Sequence, residues 1–255
     1  ELLMPMSMAV ELFHTATLVH DDIVDKAPVR RGLPTVNSLW GQELALLLGD
    51  FLFSQAAELV SATGNLRVIE LFAHTLMEVS GGELKQNLIS LEAKQDRQHY
   101  YQWIGAKTAS VFTLATQSGA VLSQATEAGI NALVEYGYNL GMAFQVADDI
   151  LDVVGEAGEM GKPVGWDLFQ GSPTLPAIIL MESYPGKEEL NRALARQEEG
   201  ARDSQLLLHS SLIQECYEIG EGFAAKAAKA LEIFSESPAK LSLSQLAEYA
   251  VRRRR

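Results

Sequence analysis

Apolar residues return at intervals of three and four along most of this chain. That periodicity predicts helices over Met8–Asp25, Gly41–Ser61, Leu66–Ala93, Asp96–Val121, Ala125–Val154, Ser204–Ile233 and Ser242–Arg252. No alternating run bounded by turn pairs predicts a strand. The breaks are equally legible. Pro28, Gly32 and Pro34 interrupt after the first helix, Gly64-Asn65 divides two helices, and Gly155, Gly158, Gly161, Pro163 and Gly165 mark a loop. Gly81-Gly82 inside a helical pattern predicts a close helix approach or a kink. With no repeat, low-complexity linker or composition shift, the expected fold class is all-α. Residues 1–255 are read as a single-domain bundle of long helices. The chain opens already inside a helical pattern, so further N-terminal helices are expected upstream of Glu1.

Composition narrows the function classes. A 255-residue chain with 47% hydrophobic and 21% charged residues can bury a substantial core. A net charge of −13 argues against nucleic acid as a partner, because nothing in the bulk field draws the chain to phosphates. Cys216 is the one cysteine, so no intrachain disulfide can form, and a reducing, cytoplasmic location is expected. The longest apolar run, Leu44–Phe53, is broken by Asp50, so no transmembrane segment is expected. The first residues lack the basic start and cleavage site of a signal peptide. The final four arginines read as a solvated tail.

Two acidic stretches need a reason. "HDDIVDKAPVRRG" (20–32) carries Asp21, Asp22 and Asp25, and "QVADDILDVVG" (145–155) carries Asp148, Asp149 and Asp152. Positions i and i+4 share a helix face, so Asp21 projects with Asp25 and Asp148 with Asp152, while Asp22 and Asp149 turn about 100° away. Pro28 and Gly155 place both clusters in the last turn of a helix, where the macrodipole is already negative and each carboxylate costs roughly 0.3–1 kcal/mol. A hard divalent cation relieves both the dipole and the mutual repulsion. Clustered carboxylate oxygens suit Mg²⁺, which keeps water ligands and shares phosphate oxygens. Arg30 and Arg31 follow the first cluster, Lys162 follows the second, and "GAKTAS" (105–110) places Lys107 beside Thr108 near a helix start. Carboxylates with arginine and lysine around them suit a metal-bound polyphosphate better than a lone metal.

Taken together, these stretches resemble the trans-type isoprenyl diphosphate synthases, or polyprenyl synthetases. The resemblance runs through "ELFHTATLVHDDIVDKAPVRRGLPTVN" (11–37), "LLLGDFLFSQA" (46–56), "GGELKQ" (81–86), "KTASVF" (107–112), "GMAFQVADDILDVVG" (141–155) and "GKPVGWDLFQGSPTLP" (161–176). It implies helices around a deep central cavity, with the two aspartate motifs facing across its mouth. It also implies the reaction: an allylic diphosphate (geranyl, farnesyl or geranylgeranyl) ionises and is attacked by isopentenyl diphosphate. Asp21, Asp22, Asp25, Lys107, Asp148 and Asp149 are the catalytic residues implied. Of these, Asp21 and Asp25 resemble ligands of two Mg²⁺ ions, and Asp148 with Asp152 those of a third. Arg30, Lys107 and Lys162 resemble clamps on the allylic diphosphate, and Arg31 a contact to isopentenyl diphosphate. Thr108 and Gln145 match residues lining the ionisation site, and Phe144 a wall against the second substrate. The family's upstream Gly-Lys-x-x-Arg motif would lie before Glu1. A homodimer through helices near residues 41–93 is expected.

Ala16 and Thr17 lie about one turn before Asp21, and Phe13 about one turn (roughly 5.4 Å) further down. In the resembled family a bulky aromatic at this floor ends chain growth early. The small pair predicts a medium- or long-chain product. A non-catalytic subunit of a heteromeric synthase and a terpene cyclase are the alternatives. The second aspartate motif and the Arg-Arg-Gly sequence argue against the cyclase.

Overall fold

The computed structural model describes residues 1–88, 96–154, 174–183 and 210–253. Among these, helix dominates, as the periodicity predicts. α1 (Leu3–Val24) turns Met6, Ala9, Phe13, Ala16 and Val19 inward at three- and four-residue spacing. α2 (Val36–Trp40) leads into α3 (Gln42–Ser61), which lies along α1, and α4 (Leu66–Leu88) comes next. α5 (Arg97–Ile104), a π-helical turn (Gly105–Ala109) and α6 (Ser110–Leu122) run on without a break. α7 (Glu127–Val154) is the central rod. From Tyr136 onward most of its residues are buried, and α6, α9 (Ser210–Ala230), α10 (Pro238–Arg252) and the π turn all pack on it. α8 (Leu175–Ser183) packs on α5, α7 and α9.

The core is built from these stripes. Phe13, Val60, Val68, Phe72 and Leu114 fill the space among α1, α3, α4 and α6, with Phe13 edge-on to Phe53 and Phe72 at 5.4 Å. Tyr100, Ile104, Met142, Val146, Ile150, Ile178 and Cys216 join α5, α7, α8 and α9. Ion pairs from Arg97 to Glu182 and Glu215, both at 2.7 Å, fasten the start of α5 to the same two neighbours.

Several expectations need correction. The segment 29–34 forms a two-stranded hairpin, Val29–Arg30 against Leu33–Pro34, too short to show an alternating pattern. Its turn residues, Arg31 at φ 51° and Gly32 at φ 77°, both take the left-handed conformation required by a type I′ turn. α2 and α8 fall outside the predicted helices: α2 is only five residues long, and Leu175–Leu180 of α8 are apolar and buried in succession, so they carry no periodicity. α10 begins at Pro238, not Ser242, because Ser237 caps it by accepting a hydrogen bond from the Lys240 amide and Pro238 suits the first turn. The parts of the predicted helices at 89–93 and 204–209, and the loop at 155–165, lie outside the described residues.

α3 runs through Asp50 without interruption, as the periodicity over Gly41–Ser61 predicts. α3 is 20 residues long and, by length and composition alone, apolar enough to cross a membrane. Ala45, Gly49, Ala56 and Val60 bury one side of it, while Leu44, Leu47 and Phe51 stay exposed on another. Asp50 sits exposed and pairs with His20 at 3.5 Å.

Candidate active site

The first cluster is built by the way α1 ends. Asp25 caps the helix, Lys26 turns the chain at φ 51°, and the Ala27 amide donates back to the Asp22 carbonyl at 3.0 Å. Asn37 Nδ2 also donates to that carbonyl, at 3.2 Å. The hairpin then brings Arg30 back across the helix end, where its Nε donates to Asp22 Oδ1 at 2.8 Å. Asp22 is therefore a buried anchor for Arg30, while Asp21 and Asp25 share the next face of the helix.

Lys107 reaches the first cluster from the π turn. Its Nζ lies 2.7 Å from Glu83 Oε2 and 3.5 Å from Asp21 Oδ2. Lys107 was expected near a helix start. It sits instead inside a continuous helical run, where the π turn shifts the register of α6 against α5. Gly82 permits this contact, because a Cβ there would meet Ala106 Cβ at 3.2 Å. The close approach expected at Gly81-Gly82 is thus real at Gly82. Burial opposes the Lys107 charge, but Asp21 and Glu83 outweigh it and hold its pKa above the ordinary value. Burial pushes the Asp21 carboxyl up; Lys107 pulls it back, and Glu83 adds to the rise. Glu83 carries no spacing signal of its own in the sequence, standing within "GGELKQ" (81–86).

The second cluster is built on α7. Asp149 is buried and accepts three hydrogen bonds, from Tyr100 Oη at 2.7 Å, the Leu175 amide at 2.9 Å and Gln145 Nε2 at 3.0 Å. Gln145 Oε1 in turn accepts from Thr108 Oγ1 at 2.7 Å. Gly141 makes this possible: a Cβ there would come 2.5 Å from Ala109 Cα, so only glycine lets α7 pass so close to the π turn. Asp148 is half-exposed, whereas Asp152 is buried.

Of the four terminal arginines, Arg252 is exposed as expected, Arg254 and Arg255 lie outside the described residues, and Arg253 is the largest departure from expectation. Arg253 is not solvated. Its Nη2 donates to Asp148 Oδ1 at 2.5 Å and to the Phe144 carbonyl at 3.2 Å, and its guanidinium lies 3.8 Å over the Phe144 ring. Phe144 also packs on Phe112 at 5.2 Å.

Lys107 and Thr108 are neighbours in the chain. One meets Asp21 and the other meets Gln145, which holds Asp149. The π turn thereby links the two acidic helix ends into one site. Arg30 is tied to its rim through Asp22, and Arg31 forms the hairpin turn beside it. Lys162 lies outside the described residues. Ala16 and Phe13 are fully buried in α1, and Thr17 is half-buried with its hydroxyl on the His14 carbonyl at 2.7 Å.

The donor set suits a hard cation: carboxylate oxygens crowd at two helix ends, and burial raises Asp21. Among the described residues no three His, Cys, Asp or Glu side chains converge on one point. An ion held here would complete its shell with oxygens from water or a bound diphosphate, which is the habit of Mg²⁺.

A predominantly helical fold with paired aspartate motifs at two helix ends, linked by a lysine-bearing turn, suits the handling of a diphosphate. The polyprenyl synthetase family model matches residues 1–212, and the chain belongs to that family. It is 36% identical over 244 residues to a prenyl transferase from Synechocystis sp., covering 95% of this chain and 76% of that protein. It is 33% identical to the Rhodobacter capsulatus all-trans-nonaprenyl-diphosphate synthase (geranyl-diphosphate specific), covering 97% and 77% of the two chains. The crystal structure of a Caulobacter crescentus polyprenyl synthase, complexed with calcium and isoprenyl diphosphate, superposes with a TM-score of 0.92 at 36% identity, over 98% of this chain and 78% of that one.

Proposed function

We propose that this chain is a prenyltransferase. It condenses isopentenyl diphosphate with an allylic diphosphate, head to tail and in trans geometry, to make a medium- or long-chain polyprenyl diphosphate. The observation that carries this reading is the link between the clusters: adjacent Lys107 and Thr108 bind Asp21 on α1 and the Gln145–Asp149 pair on α7. Asp21, Asp25, Asp148 and Asp152 would hold Mg²⁺, three ions in the expected arrangement. When bound, these ions neutralise the charge that gathers on diphosphate oxygens as it leaves.

The chain's own residues supply the rest. Lys107, kept charged by its acidic neighbours, faces the place where the allylic diphosphate gathers charge. Arg30 is held ready by Asp22, and Arg31 stands at the hairpin tip for the second diphosphate. Thr108 and the Gln145 amide, fixed through Asp149, line the ionising end of the allylic chain, with the Phe144 ring walling off the second substrate. The apolar faces of α1, α4 and α6 exclude water that would quench an allylic cation. Residues 1–255 act as one domain in this reading. The exposed Leu44, Leu47 and Phe51 of α3 suit a homodimer, and the lone buried thiol of Cys216 suits the cytoplasm.

The test is an assay of the purified protein with farnesyl diphosphate, radiolabelled isopentenyl diphosphate and Mg²⁺. Elongated product is expected, and Asp148→Asn should lower kcat at least a hundredfold. A cyclic hydrocarbon, or silence relieved only by a second subunit, would sink the proposal.

A further inference from the structure

We infer that Arg253 is the built-in counter-ion of the second aspartate cluster, and that a divalent cation arriving at Asp148 displaces it. The inference rests on the reading above that Asp148 takes part in metal binding.

Three observations carry it. The first is reach. Arg253 succeeds the last turn of α10 with φ −61° and ψ 149°, so the chain leaves the helix extended and its side chain turns back onto α7. The second is fit. The guanidinium bonds Asp148 and the Phe144 carbonyl and stacks on the Phe144 ring, so it grips both ends of one helical turn. Its side chain is only 11% exposed, while that of Asp148 is 43% exposed. The carboxylate is open to an incoming ion while the arginine lies tucked against the protein. The third is charge. Asp148, Asp149 and Asp152 crowd the negative end of α7, where one close guanidinium offsets both their repulsion and the helix dipole.

Arginine and cation then compete. A +1 and a +2 charge about 5 Å apart, even in a water-like dielectric, disfavour each other by roughly a factor of ten. α10 itself need not move, because Ala247, Ala250 and Val251 are buried against its neighbours. Only Arg253 must swing. Its side chain thereby reports whether the second cluster is filled, and the Phe144 ring loses its stacked cation at the same moment.

The test uses the whole chain, without substrate, titrated with Mn²⁺ and followed by the electron paramagnetic resonance of the unbound ion. Arg253→Gln should tighten the Asp148-dependent site about tenfold, equivalent to 1.4 kcal/mol. Arg253→Lys, which keeps the charge, should bind Mn²⁺ like the parent. In an Asp148→Asn background, Arg253→Gln should change nothing. In parallel, Mn²⁺ should speed trypsin cleavage after Arg253 in the parent protein, and Asp148→Asn should give the fast rate without metal. Equal Mn²⁺ affinity in parent and Arg253→Gln, or a cleavage rate indifferent to Mn²⁺, overturns the inference and leaves the metal reading standing. No Asp148-dependent Mn²⁺ binding in either protein overturns both.

Discussion

Replacing Tyr100 with phenylalanine removes one oxygen and tests what holds Asp149 in place. The Tyr100 hydroxyl donates at 2.7 Å to a carboxylate that is only 3% exposed. Burial, and then the Asp149 charge, keep the phenol pKa well above its ordinary value, so the hydroxyl keeps its proton as a donor. A hydrogen bond to a buried charged group contributes about 1.5–3 kcal/mol. The ring would stay packed on Tyr101 and Trp103, so no large cavity adds to the loss. Asp149 keeps the Leu175 amide and Gln145, so the loss is partial. About 2 kcal/mol is expected, which for a chain of this size is a fall in Tm of roughly 4–8 °C. Urea unfolding and calorimetry of Tyr100→Phe, Asp149→Asn and the double variant form the assay, with the coupling read from the cycle. A loss below about 0.5 kcal/mol, or zero coupling between the two sites, refutes the view that this network positions Gln145 through a charged Asp149.

Two further outcomes are expected. Ala16→Tyr should shorten the product distribution by mass spectrometry. Ala16 is fully buried five residues before Asp21, about 7.5 Å along the helix, and the larger side chain should cost roughly 1–3 kcal/mol of stability. A folded variant with unchanged products removes Ala16 from the floor. The protein should also lose stability at alkaline pH, because burial pushes both Cys216 and Tyr136 up to about 12. Each pKa is raised by folding, so each contribution is whole below the ordinary values of 9.0 and 10.0 and drains away as pH climbs towards 12. At pH 11 the loss is roughly 3 kcal/mol from Cys216 and roughly 1 kcal/mol from Tyr136. Tyr100, also held above its ordinary value by burial, adds to the same loss. Urea midpoints at pH 8 and 11 measure it, and Cys216→Ala should remove a part of it, whereas an equal pH dependence in both proteins would exclude Cys216 as a source.

The long helices were legible because each hides one stripe and shows another, and α1, α3, α4 and α7 fall close to where the periodicity puts them. What escaped has a different physical origin. Leu175–Leu180 of α8 are buried one after another, so no alternation marks its phase there. The hairpin rests on two left-handed residues rather than on alternation. The π turn is one extra residue per turn, imposed by where α4 and α7 let the backbone pass, and its signal was the small residues at 82 and 141 that allow the approach. The acidic clusters themselves could be read from spacing, since like charges on one face demand an explanation. Their partners could not: Tyr100 lies 49 residues from Asp149, and Arg253 lies 105 residues from Asp148.

The two aspartate pairs resolve into the same division of labour. On a helix, neighbours point about 100° apart, so adjacent carboxylates cannot both face one cleft. In each motif the first, Asp21 or Asp148, stays partly open and meets a long cationic side chain, Lys107 or Arg253. The second, Asp22 or Asp149, is buried and spends its lone pairs on fixed donors, Arg30 in one case and Tyr100, Leu175 and Gln145 in the other. A buried charge without such donors would be prohibitive. With them it becomes a rivet that orients the residues around its neighbour. The doubled aspartate thus joins two opposed demands at one helix end: a carboxylate able to change partners, and a second one held still so that everything the first must meet is already in place.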